Sequence, residues 1–346
     1  MSTGESGSRL GPIHLQASLH ETIWGGERLR TVAGKDVPVG ARIGESWETA
    51  LDAVACNPPF HGQTLDTITE QYGTALIGSR AREVFGMRFP LLTKFLDAQA
   101  QLSVQVHPND AYAAAHEGGK LGKTEVWYIL HAEPGARVVY GLRQEATQED
   151  VRRAIATNTL EDLLHSVEVR PGDVVFVPAG TVHAICAGVV LYELQEYSDI
   201  TYRLYDYGRI QANGRPRELH VEQGLAVMRY TPQMLERVTP LVRGDRRILV
   251  GCRYFVLEET LLSGTLPGTV RPNSCQIVTL LSGRCEIASP VGNVTLAHGE
   301  TAVLPATLGE HSLSSSDARI LRAWVPEPDD ADLAAWRAAQ SFSLED

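Results

Sequence analysis

The run Gly172-Asp-Val-Val-Phe-Val-Pro178-Ala-Gly180-Thr-Val-His183 constrains this chain more than any other segment. Pro171-Gly172 makes a tight turn, Val174–Val177 reads as a short apolar strand, and Pro178–Gly180 turns the chain again to present His183. Two further segments carry polar groups on strands in the same way. In Gln101-Leu-Ser-Val-Gln-Val-His-Pro108, alternation puts Ser103, Gln105 and His107 on one face and Leu102, Val104 and Val106 on the other. In Gly122-Lys-Thr-Glu125 and the residues after it, Lys123, Glu125 and Trp127 share a face.

Gln105, His107, Glu125 and His183 form a nitrogen and oxygen ligand set suited to a divalent metal. Strands that turn Gln, His, Glu and Lys inward lose hydration, and a bound cation offsets that loss. Polar outer faces of half-exposed strands would explain either segment alone. The Gly172–His183 run in the same chain favours a metal site.

A chain of 346 residues is long enough for two domains, or for one domain with a long insertion. Its 43% hydrophobic and 21% charged residues are ordinary for a globular protein. The longest apolar stretches, such as Ile185–Leu191, are too short to span a bilayer, so no membrane role is expected. The polar start, Met1 to Ser8, lacks a basic end and an apolar core, which argues against a signal peptide. Residues 1–12 read as a flexible tail. None of the five cysteines forms a C-x-x-C pair, so neither a disulfide framework nor a thiolate zinc site is expected, and a reducing cytoplasm is the simplest setting. The net charge of −11 argues against nucleic-acid binding. It leaves room for a small anionic substrate, because a local cluster of Lys and Arg can oppose the global sign.

The pattern predicts a mainly β fold with small helical insertions. Ile13–Glu48 reads as strands and turns. Insertions are expected near 65–86 (two short helices), 109–118 (capped by Asn109 and ended by Gly118-Gly119) and 147–167. Strands are expected at Glu125–Leu130, Arg137–Leu142, Val174–Val177, Val189–Tyr197 and Thr201–Tyr207, and a helix at about Leu219–Val227. A linker near Met234–Arg247 precedes an all-strand region, Ile248–Val325. There Gly299-Glu-Thr-Ala-Val-Leu-Pro305 repeats the Gly172–His183 pattern in degenerate form, with Glu310 at the histidine position. A surface helix closes the chain at Asp329–Gln340.

Gly172–His183 fits the second sequence motif of cupin barrels, G-x5-P-x-G-x2-H, and the chain as a whole resembles the type I mannose-6-phosphate isomerases of that superfamily, in their shorter bacterial branch. The resemblance is carried by Ile23-Trp-Gly-Gly26, Ile43-Gly-Glu-Ser-Trp47, Gln105-Val-His-Pro108, Gly122-Lys-Thr-Glu-Val-Trp-Tyr128 and Pro178-Ala-Gly-Thr-Val-His-Ala184. It continues through Tyr202-Arg203, Tyr205-Asp-Tyr-Gly-Arg209 and Arg215-Pro-Arg-Glu-Leu-His220. It implies two cupin (jelly-roll) β-barrels. The catalytic one would span residues 13–233, and a degenerate, metal-free one with a terminal helix would span 234–346. It also implies one Zn2+ per chain at His107, Glu125 and His183, with Gln105 as a fourth ligand or close neighbour, and interconversion of mannose 6-phosphate and fructose 6-phosphate.

Such a reaction moves a proton between C1 and C2 through an enediol. It needs a base, an electrophile for the developing oxyanion and an anchor for the phosphate. Arg203 lies on the last barrel strand, sharing parity with Thr201 and Tyr205, and its family counterpart sits beside the metal, where it would stabilise the enediolate. Lys123 shares a face with Glu125 and projects towards the metal. Glu193, on the face of Gln195 and Tyr197, matches a family glutamate near the sugar and is the base candidate; Lys123 or a metal-bound hydroxide is the alternative. Lys94 matches a pocket lysine and, with Ser103 and Arg209, would bind phosphate. For Glu45 and Trp47, core packing weighs more than a place in the pocket wall. Two rival readings stay open: a noncatalytic sugar-phosphate-binding cupin, and an iron cupin dioxygenase.

Overall fold

A computed structural model describes residues 9–211, 214–233 and 238–340. Most of the tail, residues 1–8, and the first part of the proposed linker, residues 234–237, lie outside the described residues. The described chain is mainly β, and its strands form three antiparallel sheets of ten, six and five strands. The hydrogen-bonded order closes on itself in none of them: each runs from edge to edge.

The six-stranded sheet runs in the order Val174–Val177, Glu125–Ala132, Val189–Glu196, Leu91–Ala98, Ile43–Trp47, Ser18–Gly26. Its central strands are buried on both faces, and their sequences show why. In Val189–Glu196, Val190, Tyr192 and Leu194 enter the core shared with the ten-stranded sheet, where they join Phe255, Ile277 and Val303. Val189 and Leu191 on the other face join Trp127 and Ile129 in a second core, against Val138, Tyr140 and Ile185 of the five-stranded sheet. Glu193 and Gln195 continue that inner face. A charged group therefore points into the space between the two smaller sheets.

The five-stranded sheet has the order Tyr202–Tyr205, Val104–Val106, His183–Ile185, Arg137–Leu142, Leu164–Glu168. Its outer face is covered by the Gln148–Ala156 and Val221–Val227 helices, whose Val151, Ile155 and Leu225 pack on Val104, Val106 and Leu204. The Asp110–His116 helix is capped by Asn109, as its sequence predicts, with the side chain accepting from the Tyr112 N–H at 2.9 Å.

Four expectations need correction. Residues 65–86 form three helices, Leu65–Tyr72, Thr74–Ile77 and Ser79–Phe85, because Gly73 and Gly78 each break the run with positive φ. The insertion at 147–167 is helical only through Leu163; Leu164–Glu168 is a strand paired to Arg137–Leu142, an apolar run whose spacing serves either structure. The linker region contains a hairpin, Leu241–Arg243 with Arg246–Gly251, turning at Gly244. The strand Ile13–Gln16, placed by sequence with the N-terminal half, pairs with Thr301–Leu304 and so extends the ten-stranded sheet, as does Val54–Ala55.

Candidate active site

Cross-strand register lines up the functional side chains. On the five-stranded sheet Tyr140, His183, Gln105 and Arg203 sit opposite one another on successive strands. On the six-stranded sheet Trp47, Lys94, Glu193 and Trp127 do the same. Side chains directly opposite share a face, so each row presents its polar groups to the space between the sheets.

His107, Glu125 and His183 are fully buried, and one donor atom from each lies within 4.8 Å of the others. Glu125 Oε2 is 3.6 Å from His107 Nε2, and Oε1 is 3.5 Å from His183 Nε2. His107 Nδ1 meets the Ile200 carbonyl and His183 Nδ1 the Thr181 carbonyl, each at 2.8 Å. Those carbonyls require the Nδ1–H tautomer, so both Nε2 atoms are left as acceptors beside Glu125, and the Lys123 ammonium lies 3.3 Å from that of His107. Burial lowers both imidazoles, His183 to about 4, and for His107 the nearby Lys123 charge adds to the effect. Both rings are therefore neutral, the state in which they ligate a metal. Glu125 Oε1 has no hydrogen-bond partner, and Oε2 meets only the Lys123 ammonium at 2.8 Å. An orphaned buried carboxylate oxygen facing two imidazole lone pairs fits a divalent cation. Gln105 reaches His183 Nε2 with its amide at 3.3 Å, and turning that amide over would offer its oxygen to the same point. Among the described residues no second cluster of this kind occurs, and Glu310 in the degenerate repeat is exposed.

Next to this centre lies a buried charge network. Lys94 Nζ is 3.4 Å from Glu45, 3.6 Å from Glu193 and 4.4 Å from the Trp47 ring centroid. Lys123 Nζ is 4.0 Å from Glu193. Burial alone would lower the Lys123 ammonium, but Glu125 and Glu193 raise it overall, so this group is a cation and a donor. Burial and the Glu125 charge raise the Glu193 carboxyl, whose Oε2 accepts from Trp127 Nε1 at 3.1 Å. For Glu45, burial acts upwards, but Lys94 and the Trp47 indole bring it below the usual range. Trp47 is thus part of this network, holding Glu45 at 2.5 Å, where packing had been the favoured reading.

Arg203 donates to Ser103 Oγ at 3.2 Å and to the Glu218 carbonyl at 2.9 Å. Among the described residues no carboxylate lies within ion-pair distance of it. Arg209 is held differently: with Arg217 it grips Asp206, and it also donates to the Gln101 carbonyl. No contact among the described residues joins Lys94 to Ser103 or Arg209. The clamp of Asp206 and Arg217 had no role in the sequence reading; the spacing of Asp206 three residues before Arg209 was the available signal.

Comparison with known proteins decides the family. A model of the type I phosphomannose isomerase catalytic domain matches residues 13–120. The chain is 37% identical over 309 residues to mannose-6-phosphate isomerase of Streptococcus mutans, covering 86% of this chain and 93% of the relative. The chain belongs to the type I mannose-6-phosphate isomerases. Mannose-6-phosphate isomerase ManA of Bacillus subtilis is likewise 37% identical, over 87% of this chain and 95% of its own. A crystal structure of the Bacillus subtilis mannose 6-phosphate isomerase superposes with a TM-score of 0.78 at 32% identity, covering 90% of this chain and 99% of that one. The protein is therefore an isomerase of this family, with a His–Glu–His group able to hold a metal.

Proposed function

We propose that the protein interconverts mannose 6-phosphate and fructose 6-phosphate with one Zn2+ held by His107, Glu125 and His183 and with the Gln105 amide beside it. The observation that supports this most directly is the buried Glu125 carboxylate, its Oε1 without a hydrogen-bond partner, between two imidazoles fixed as Nδ1–H tautomers. When bound, the ion supplies Lewis-acid polarisation of the sugar's carbonyl and hydroxyl oxygens. The chain's own side chains do the rest. Glu193, raised by burial towards the working pH, takes the C2 proton as its electrons form the C1–C2 double bond. The carboxylic acid so formed returns the proton to C1, while the hydroxyl proton moves from the C2 oxygen to the C1 oxygen, so that C2 becomes the carbonyl. Lys123 and Arg203, both cationic, stabilise the oxyanion that develops between these steps. Lys94 anchors the phosphate dianion, with Ser103 and Arg209 as its further donors.

The two smaller sheets would then be the walls of a catalytic jelly roll in residues 13–233. Residues 234–346 would form the degenerate second unit, completed by Ile13–Gln16. Stripping the protein with a chelator and restoring it with Zn2+, while following isomerisation and bound metal, tests the reading. The expected result is loss of activity, then recovery at one ion per chain. Full activity in metal-free protein, or oxygen uptake with iron and no isomerisation, would refute it.

A further inference from the structure

A second cavity, of about 310 Å3, lies behind the metal-ligand segments. Its walls include Tyr112, Phe176, Pro178, Cys252 and Tyr254, and Arg229 lines it as well. Strand parity separates it from the space between the two smaller sheets. Thr124, which lines the cavity, alternates with Lys123 and Glu125, which point to the metal centre. Phe176 alternates with Val175 and Val177, which belong to the core between those sheets. The two hollows are on opposite faces of the same strands.

Arg229 gives this cavity its chemistry. Its backbone N–H donates to the Gly180 carbonyl at 2.8 Å, and its side chain lies across Gly180, where an added Cβ would stand 3.3 Å from Arg229 Cγ. Gly180 has φ of +84°, so both its backbone and this close approach call for glycine. Yet among the described residues the half-buried Arg229 guanidinium has neither a hydrogen bond nor an ion pair, in a protein whose acidic residues outnumber basic ones by 42 to 31. An arginine without a side-chain acceptor among the described residues, lining a cavity walled by three aromatic rings, suits a ligand with an anionic head and a flat apolar body. The volume is at the lower end of the roughly 300–1,000 Å3 typical of small-molecule sites.

We propose that this cavity is a second binding site, for a small aromatic anion (a phosphate monoester or a carboxylate), with Arg229 as its charged anchor. The occupant would rest against the backbone that carries all three metal ligands. Asn109 follows His107 by two residues, Thr124 precedes Glu125, and Pro178–Gly180 leads into His183. Those segments are already stapled together, Gly180 N–H to the His107 carbonyl at 2.9 Å and Lys123 N–H to the Pro108 carbonyl at 3.0 Å.

Isothermal titration of the zinc-loaded protein with phenyl phosphate, benzoate and inorganic phosphate tests the site. At least one aromatic probe should bind more tightly than inorganic phosphate. Arg229→Gln should weaken that probe by roughly tenfold or more, because a charge-assisted contact is lost. Ala226→Trp, at an exposed lining position, should also block it by filling the space. Lys94→Ala separates this site from the metal pocket. Aromatic binding that survives Arg229→Gln and disappears in Lys94→Ala would put the anion at the metal centre and overturn the proposal, as would the absence of aromatic binding. Neither result bears on the isomerase reading.

Discussion

Replacing Glu193 by Gln is the sharpest test of the proton-transfer assignment. The substitution keeps the shape and leaves an acceptor oxygen for Trp127 Nε1, which lies 3.1 Å from Glu193 Oε2. It removes one carboxylate from a network in which each lysine keeps another: Glu45 at 3.4 Å for Lys94, and Glu125 at 2.8 Å for Lys123. Breaking a buried pair is severe when a charge is left uncompensated; here neither is, so the stability loss should stay near 1 kcal/mol, read from the denaturant midpoint. Loss of a positioned general base costs about 10²–10⁴ in turnover, or roughly 2.7–5.4 kcal/mol of barrier. The expected variant is folded, zinc-loaded and at least about a hundredfold slower, with a Michaelis constant for mannose 6-phosphate changed far less.

The pH profile supplies a second readout. A base must be ionised to act, and burial with the Glu125 charge raises this carboxyl above an ordinary glutamate. Wild-type turnover should therefore fall as pH drops through the titration of Glu193, and the residual activity of Glu193→Gln should lack this acid limb. Turnover within tenfold of wild type, with zinc bound, would remove Glu193 from the mechanism. Lys123 would be a poor substitute, since its carboxylate neighbours hold it as the ammonium.

Further outcomes follow from the same geometry. His107→Ala or His183→Ala should leave well under one divalent ion per chain by elemental analysis; stoichiometric metal in both would displace the proposed centre. Arg203→Ala should lower turnover by about 10²–10³ with little change in binding, because the interaction grows as the oxyanion forms. Lys94→Ala should instead raise the Michaelis constant and narrow the preference for mannose 6-phosphate over free mannose, the phosphate charge being present before reaction. Gly180→Ala should cost at least about 1–2 kcal/mol in thermal unfolding, since φ is +84° and the new Cβ would stand 3.0 Å from the Val227 carbonyl.

The convergence of the candidate metal ligands was legible because strand alternation and two glycine-shaped turns fix where a side chain points. His107, Glu125 and His183 each follow such a constraint, and all three meet. The inward aim of Glu193 was legible for the same reason, since it lies two residues from Leu191 on the same face of its strand. The Asp206 clamp was not, because Arg217 reaches it from a loop with no period to read. Nor was the pairing of Ile13–Gln16 with Thr301–Leu304: a four-residue apolar strand carries no information about which distant edge it completes. Leu164–Glu168 failed for a related reason, since Leu160, Leu163 and Leu164 satisfy a helical spacing that the sheet edge overrides.

The charges gathered around the metal centre explain how so acidic a chain would accept a sugar phosphate. Three carboxylates, Glu45, Glu125 and Glu193, meet two lysines, Lys94 and Lys123, and Arg203 adds a third cation held by Ser103, so the protein's own groups there balance near neutrality. A divalent ion held by His107, Glu125 and His183, as proposed, would leave that pocket with an excess of two positive charges. A phosphate monoester carries about −1.5 to −2 at neutral pH, which matches the excess, whereas an unphosphorylated sugar leaves it unmet. The global charge of −11 is spread over an aqueous surface where it is screened within about 8–10 Å. Phosphate preference, on this argument, arises from the metal together with the lysines and not from the lysines alone. Metal-free protein should accordingly lose affinity for mannose 6-phosphate more than for mannose, a difference that equilibrium binding to the stripped and reloaded protein would measure.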